Sequence, residues 1–408
     1  MSSKFVSVAA AIALMIGGAA YVSVPAAQPD STAPHAAGSD ADGQKNAGPV
    51  DQQWLALVDN YFNQQFELSP TWATSVGLHE YDTKMPDMSE QGIQRENDLV
   101  REYRAKIEQI DPKALNRVNR ADRELLLGHV QAVLLRNKKI RYWQRDPDLY
   151  SRNVTAAVFD LIKRNYAPLS ERLQSVIARE RLIPATLQVG EQNLIPAQIP
   201  QIYADIALEQ LPGAISFFRN SVPEAFKDVK DEKLVGEFHK TNEETIEALK
   251  RYEAFVSKLA KSGSCKGTFA IGADTYSKKL LYEEMVDRPL DQLLAQGYDE
   301  LHRLQKRFRA LALEINPNVG IVECFQSISK DHPTGDQLLA SVRSVLEEIR
   351  SYCIDKNIVT IPSDERARVD ETPPFERALT FASMDTPGPF EKNAREAYYF
   401  VTLPEKGW

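Results

Sequence analysis

The chain has 408 residues, 43% of them hydrophobic and 26% charged, with a formal net charge of −8. That length allows one large core or two closely packed lobes, and the composition is that of an ordinary globular protein. The acidic balance excludes a surface that tracks a phosphate backbone, so no nucleic acid is expected among the partners.

At the amino end, Lys4 precedes an apolar run from Phe5 to Val24, followed by the small-residue step Val24-Pro25-Ala26-Ala27. A positive charge, an apolar stretch and small residues before a polar tail make a signal peptide over residues 1–27. The alternative is an uncleaved anchor, because the run approaches the roughly 20 residues that cross a bilayer. An exported protein, periplasmic or secreted, is expected, touching a membrane only through this segment if it is retained. Residues 28–50 are rich in Ala, Gly, Ser, Asp and Pro without apolar periodicity, and read as a disordered linker.

Residues 51–357 read as a body of about a dozen helices. Asp51 is expected to cap the first, whose Trp54, Val58, Tyr61, Phe62 and Phe66 fall at steps of three and four. Ser69-Pro70 restarts a helix that Gly77 ends, and Ser89 caps a long charged one. Asp111-Pro112 opens a short turn, and Asp122 to Trp143 forms a further long helix. Helices then begin at Ser170 and Pro184, run from Ile202 to Leu211, and extend from Asp231 to Leu259 as the longest. After a loop from Gly263 to Gly272 come helices at Asp274–Met285, Leu290–Ile315 and Asp336–Cys353. No period of 20 to 50 residues recurs, which excludes a solenoid.

Residues 358–408 change code. Ile358 to Pro362, the alternating stretch around Arg366 to Asp370, Ala378 to Ala382, and Tyr398 to Leu403 read as short strands. The expected fold is therefore mostly α, with a small β-sheet near the carboxy end. The aromatic strand is either sheet core or the lip of a cleft whose edge pairs with an extended ligand.

Residues able to do chemistry are sparse. No two of the six histidines lie closer than thirty residues, so none can chelate a metal from adjacent helical turns. His79-Glu80 would open a zinc-hydrolase motif, but the required second histidine is Thr83. A loop histidine that ties down a turn is the expected role of His79. There is no nucleophile elbow, and Gly263 to Gly267 matches a phosphate loop in composition only. The adjacent pairs Glu243-Glu244, Glu283-Glu284 and Glu347-Glu348 point about 100° apart on a helix and read as solvated surface. Cys265, Cys324 and Cys353 allow one disulfide with one thiol left over, or three buried thiols and no bridge.

Several stretches together carry a resemblance. They are Phe66 to Ser89, Ala121 to Leu126, Asp205 to Gly213, Asp331 to Leu339, Val359 to Glu365, and the closing ETPPFERA, DTPGPFE and YYFVTLP. In this order they resemble the bacterial proteins grouped as domain of unknown function 885, from about Asp51 onward. The resemblance implies an exported, mostly helical protein similar to zinc metallopeptidases, whose metal motif follows the aromatic strand. None of those ligands has a counterpart here, so the expected catalytic and metal residues of this chain are none. Zinc is expected only with a further carboxy-terminal part. The chain is then the amino-terminal scaffold and cleft part of such a hydrolase, inactive alone, with a peptide or small-molecule substrate lying along Tyr398, Tyr399, Phe400 and Thr402. The competing reading is a non-catalytic, tethered binding or scaffold protein of the cell envelope.

Overall fold

A computed structural model describes residues 48–377 and 380–404. The expected signal segment therefore lies outside the described residues, as does most of the linker. Its last residues do not extend it. Helix α1 already begins at Pro49 and runs to Leu68, with Gly48 as N-cap. Asp51 is thus inside the first turn, not at the cap. Its carboxylate accepts from the Gly48 N–H at 3.3 Å and reaches across to the N–H of Asn116 at 3.0 Å and the Asn119 amide at 2.7 Å.

The first helical layer is α1, α2 (Pro70–Ser75), α3 (Glu90–Glu108) and α4 (Arg117–Leu135). Ser69 and Pro70 start α2, and the Ser89 hydroxyl caps α3 by accepting from the Gly92 N–H. Trp54, Tyr61, Phe66, Val100, Ile107 and Leu126 form the buried interior of this layer.

A π-turn, Arg136–Ile140, and the left-handed Arg141 (φ 58°) bend the chain into α5 (Tyr142–Arg145) and α6 (Asp148–Ile162). The second layer continues with α7 (Leu169–Glu180), α8 (Ile183–Asn193), α9 (Gln201–Ser216), α10 (Val222–Ala225) and α11 (Glu232–Lys261). Asp231 caps α11 by accepting from the Leu234 N–H. At 30 residues α11 is about 45 Å long, and it packs on α7, α8 and α9. Tyr150, Leu161, Leu173, Leu211, Leu249 and Tyr252 fill this second interior.

Fully buried Arg179 of α7 joins the layers. Its guanidinium donates to the Thr74 hydroxyl at 2.6 Å and to the carbonyls of Lys84, Tyr81 and Ala157. Two of those acceptors belong to the loop following α2 and Thr74 to α2 itself, so one side chain holds the first layer's α2 and loop to the second layer's helices.

Four further helices follow: α12 (Ala273–Glu284), α13 (Leu290–Ile315), α14 (Ile321–Ile328) and α15 (Leu338–Asp355). Among the described residues α12 lies along α4, where Gly128 is needed. A Cβ there would stand 2.7 Å from the Tyr282 carbonyl oxygen. Helix α15 packs against residues 368–371, with Arg343 donating to the Val369 carbonyl at 2.6 Å. No helix among the described residues is long and apolar enough to cross a membrane.

The carboxy-terminal strands are β1 (Arg368–Glu371), β2 (Ala382–Asp385) and β3 (Tyr398–Val401), in the order β1-β3-β2. β3 runs parallel to β1 and antiparallel to β2. The stretch Ile358 to Pro362 is not a strand, since it extends from α15 without a partner to pair with. The mostly helical body with a small late sheet is as expected. The disulfide is not formed. All three cysteines are free thiols, and Cys265 and Cys324 are buried, pointing at the carbonyls of Leu259 and Ala312.

Candidate functional site

The aromatic strand is the middle of its sheet, and this corrects the idea that its edge takes up an extended ligand. Residues 398–401 are paired on both sides, with Arg368↔Tyr398↔Asp385 and Asp370↔Phe400↔Ser383 in register. Their backbone groups are committed, so no further strand can add there.

The side chains are also engaged. Tyr398 and Phe400, two apart on one face, are buried with rings 5.5 Å apart and nearly parallel. Phe159 of α6 meets Phe400 at 6.2 Å, and the guanidiniums of Arg164 and Arg368 lie over the Tyr398 ring at 5.4 and 5.3 Å. The Thr402 hydroxyl lies 2.9 Å from that of Thr372 and 2.6 Å from the Thr380 carbonyl. Tyr399, on the opposite face between Val369 and Met384, is the half-exposed member of the four.

Charges at and just past the end of α6 anchor this sheet. Lys163 lies 2.7 Å from Asp160 and 2.8 Å from Asp385, while Arg164 pairs with Asp385 at 2.5 Å and donates to the Glu396 carbonyl at 2.9 Å. Burial works against the Lys163 charge, but the two carboxylates outweigh it and hold its pKa above the ordinary value. Nearby Glu376 is pushed up by burial and, secondarily, by Asp385. The cluster fixes the sheet on α6; its cations are already matched by carboxylates.

A second junction holds the loop that leads into β3. The His79 ring stacks on Tyr166 at 3.6 Å, with its Nδ1 3.1 Å from Asp82 and its Nε2 2.8 Å from Glu391. The Tyr166 hydroxyl donates to Asp82 at 2.6 Å, and the other Glu391 oxygen accepts from the N–H groups of Lys392 and Asn393. Burial alone would lower the His79 pKa, but Asp82 and Glu391 outweigh it and raise it above 6.5. Gly77 permits the loop's close approach, because it has φ 96° and a Cβ there would meet the Glu391 backbone nitrogen at 2.3 Å. His79 therefore ties down a turn as expected, across 312 residues of sequence.

Sequence reasoning missed a cleft of about 740 Å³ between the two layers. Met88, Glu96, Arg136, Asn137, Trp143 and Arg152 are among its lining residues, and half-buried Asp146 stands at its edge by the start of α6. Burial pushes Asp146 up to about 6, against the pull of Arg152. Asn137 donates to Glu96 at 2.7 Å across the π-turn. These residues come from several segments without any motif; only the irregular turn at Arg136 to Arg141 could have marked the place.

Among the described residues no three His, Cys, Asp or Glu side chains are disposed to hold a metal ion. The nearest approach, His79 with Asp82 and Glu391, has both ring nitrogens turned to carboxylates, which does not fit a zinc site.

A family model described as a bacterial protein of unknown function, DUF885, matches residues 70–407. The chain belongs to the DUF885 family. No curated protein matches it. Among solved structures it is similar to a candidate lipoprotein of unknown function from Shewanella oneidensis, with 24% identity and a TM-score of 0.67. The match covers 87% of this chain and 65% of the other, so this DUF885 chain spans less than two thirds of its structural relative.

Proposed function

We propose that the chain is the scaffold and substrate-cleft part of an exported hydrolase similar to zinc metallopeptidases, with metal ligands supplied by polypeptide outside the described residues. The single observation that carries this reading is a mismatch of surface and length. Long apolar helix faces between 290 and 359 remain uncovered, in a chain that spans only 65% of its relative. The peptidase-like character is what the resemblance of the sequence motifs implies. The lipoprotein description of the relative supports a place in the cell envelope. No catalytic step is assigned to the residues of this chain. Their part is to hold the small sheet rigidly on α6 through Lys163 and Arg164, where its half-exposed outer residue Tyr399 can meet a substrate.

The test is zinc content and peptide hydrolysis, measured on the 408-residue chain and on the longest polypeptide its gene encodes. The expected result is neither property in the first and both in the second. Stoichiometric zinc with chelator-sensitive hydrolysis in the 408-residue chain would end this reading.

A second reading, a non-catalytic envelope binding protein, draws on the cleft at Trp143 and Asp146, which is built wholly from described residues. Saturable binding of a small molecule there, lost on Trp143→Ala, would favour it.

A further inference from the structure

We propose that the cleft between the two helical layers binds an organic cation, an ammonium group on an apolar stem, with Asp146 as its counter-charge. This rests on the second reading above, that the cleft is a binding site, and names the chemical class of its ligand.

The carboxylates along the cleft have their partners everywhere but at one end. Glu67 is paired with Lys84 at 2.9 Å, and Asp87 with Arg95. Glu96 accepts from the amides of Gln65 at 3.3 Å and Asn137 at 2.7 Å, with the Arg136 guanidinium 4.0 Å away. At the Trp143 end, Asp146 and buried Asp148 share one cation. Arg152 lies 3.6 Å from Asp148, and its pull on Asp146 is weaker than the effect of burial. Among the described residues no cation stands within ion-pairing distance of Asp146, which accepts from the Asp148 N–H at 3.1 Å. A carboxylate withdrawn from water without a matching charge is costly, and a ligand cation beside it removes that cost. An anion would meet the surplus carboxylate instead.

The local chain path builds the rest of the site. Left-handed Arg141 sends the chain from the π-turn into α5, whose one turn puts Tyr142 and Trp143 in the wall and Asp146 just before α6. The Trp143 indole N–H donates to the Asn137 carbonyl at 3.0 Å, and the Trp143 carbonyl accepts from the Tyr150 hydroxyl, which fixes the residue at both ends. Indole is the aromatic group that attracts cations most strongly. Met85, Met88 and Leu149 add an apolar wall suited to a hydrocarbon stem.

The ionisable groups about Asp146 are Tyr142 and Arg145 of α5, Asp148, Tyr150 and Arg152 of α6, Tyr203 of α9 and Tyr252 of α11. Burial raises Tyr150, Tyr203 and Tyr252, which stay neutral, and the arginines stay charged. Asp146, at about 6, therefore loses its charge on mild acidification, and burial shifts Asp148 in the same direction.

Titration calorimetry of the 408-residue chain with 2-phenylethylamine, 2-phenylethanol and 3-phenylpropanoate at pH 8 compares three head groups on similar stems. The amine is expected to bind one-to-one, about tenfold or more tighter than the other two. At pH 5, with most of Asp146 protonated, the amine should bind about tenfold more weakly and the alcohol as before. Asp146→Asn, of the same shape, should abolish the preference, whereas Glu67→Gln at the exposed rim should keep it. The pH series needs no variant, so it decides the matter even where Asp146→Asn does not fold. Equal binding of the three, tighter binding of the propanoate, amine binding unchanged at pH 5, or a preference kept in Asp146→Asn would overturn the cation and leave the cleft a binding site of another preference. No saturable binding of any of the three would overturn the cation and the binding reading together.

Discussion

Helices α11 and α13 are written in the same code and end in different circumstances. Both are long, charged and amphipathic, with apolar residues at helical spacing. Yet α11 buries nine residues against α7, α8 and α9, whereas α13 buries Ala312 alone. Periodicity thus tells that a helix has a face, and says nothing of whether this chain provides what covers it. The body from 48 to 261 satisfies its own surfaces; the segment from 290 to 359 does not. The two parts thus differ in self-sufficiency: the body covers its own apolar faces, and the later helices leave much of theirs exposed.

Substitutions can break or sharpen that contrast. The largest effect is expected at Arg179, where Arg179→Met keeps the bulk but leaves Thr74 and three carbonyls without their donor. A loss of about 3 to 5 kcal/mol in urea unfolding is expected, since charged hydrogen bonds inside a junction are costly to remove. A loss under 1 kcal/mol would mean the layers do not depend on that tie. Next comes a matched pair. Leu249→Ala in α11 should cost about 2 to 5 kcal/mol, while Leu301→Ala in α13 should cost less than about 0.5. Equal costs would abolish the contrast.

The third prediction concerns pH. Glu180 is fully buried beside Thr241 and Asn242, which donate at 2.6 and 2.9 Å, and burial pushes its pKa from 4.5 up to about 7. With the folded value above the unfolded one, its contribution is fully present below about pH 4.5 and is lost as pH rises to about 7. Glu180→Gln should flatten the stability profile across that window and stabilise the protein at pH 8, on the order of 2 kcal/mol. An unchanged profile would show that Glu180 is not the group responsible. The smallest effect is expected at His79, whose raised pKa means stability present at low pH and lost as pH rises through the folded value. His79→Gln should cost about 1 kcal/mol at pH 6 and less at pH 9, with faster amide exchange in 386–396. Uniform cost at both pH values would argue for packing on Tyr166 alone.

Much of the body was legible because helix ends are chemically marked. Ser89 and Asp231 cap where expected, Ser69-Pro70 restarts a helix, and Leu290–Ile315 has the expected limits. Errors arose where a local signal had a non-local use. Asp51 looked like a cap and serves instead to join α1 to the start of α4. Ile358 to Pro362 has strand composition but no partner. The position of β3 in its sheet could not be read, because its neighbours come from 368–371 and 382–385 and pairing order leaves no trace in composition. The same reason hides the His79–Glu391 tie and the Trp143 cleft, whose parts are adjacent only after folding.

The central claim, a self-sufficient body bearing an uncovered apolar face, is tested most directly by hydrogen exchange on the 408-residue chain alone at neutral pH and low concentration. The account predicts slow exchange through α6 to α11, set by global unfolding, and exchange orders of magnitude faster in α13 and α15. Protection of α13 and α15 equal to that of α11, in a monomer, would contradict it.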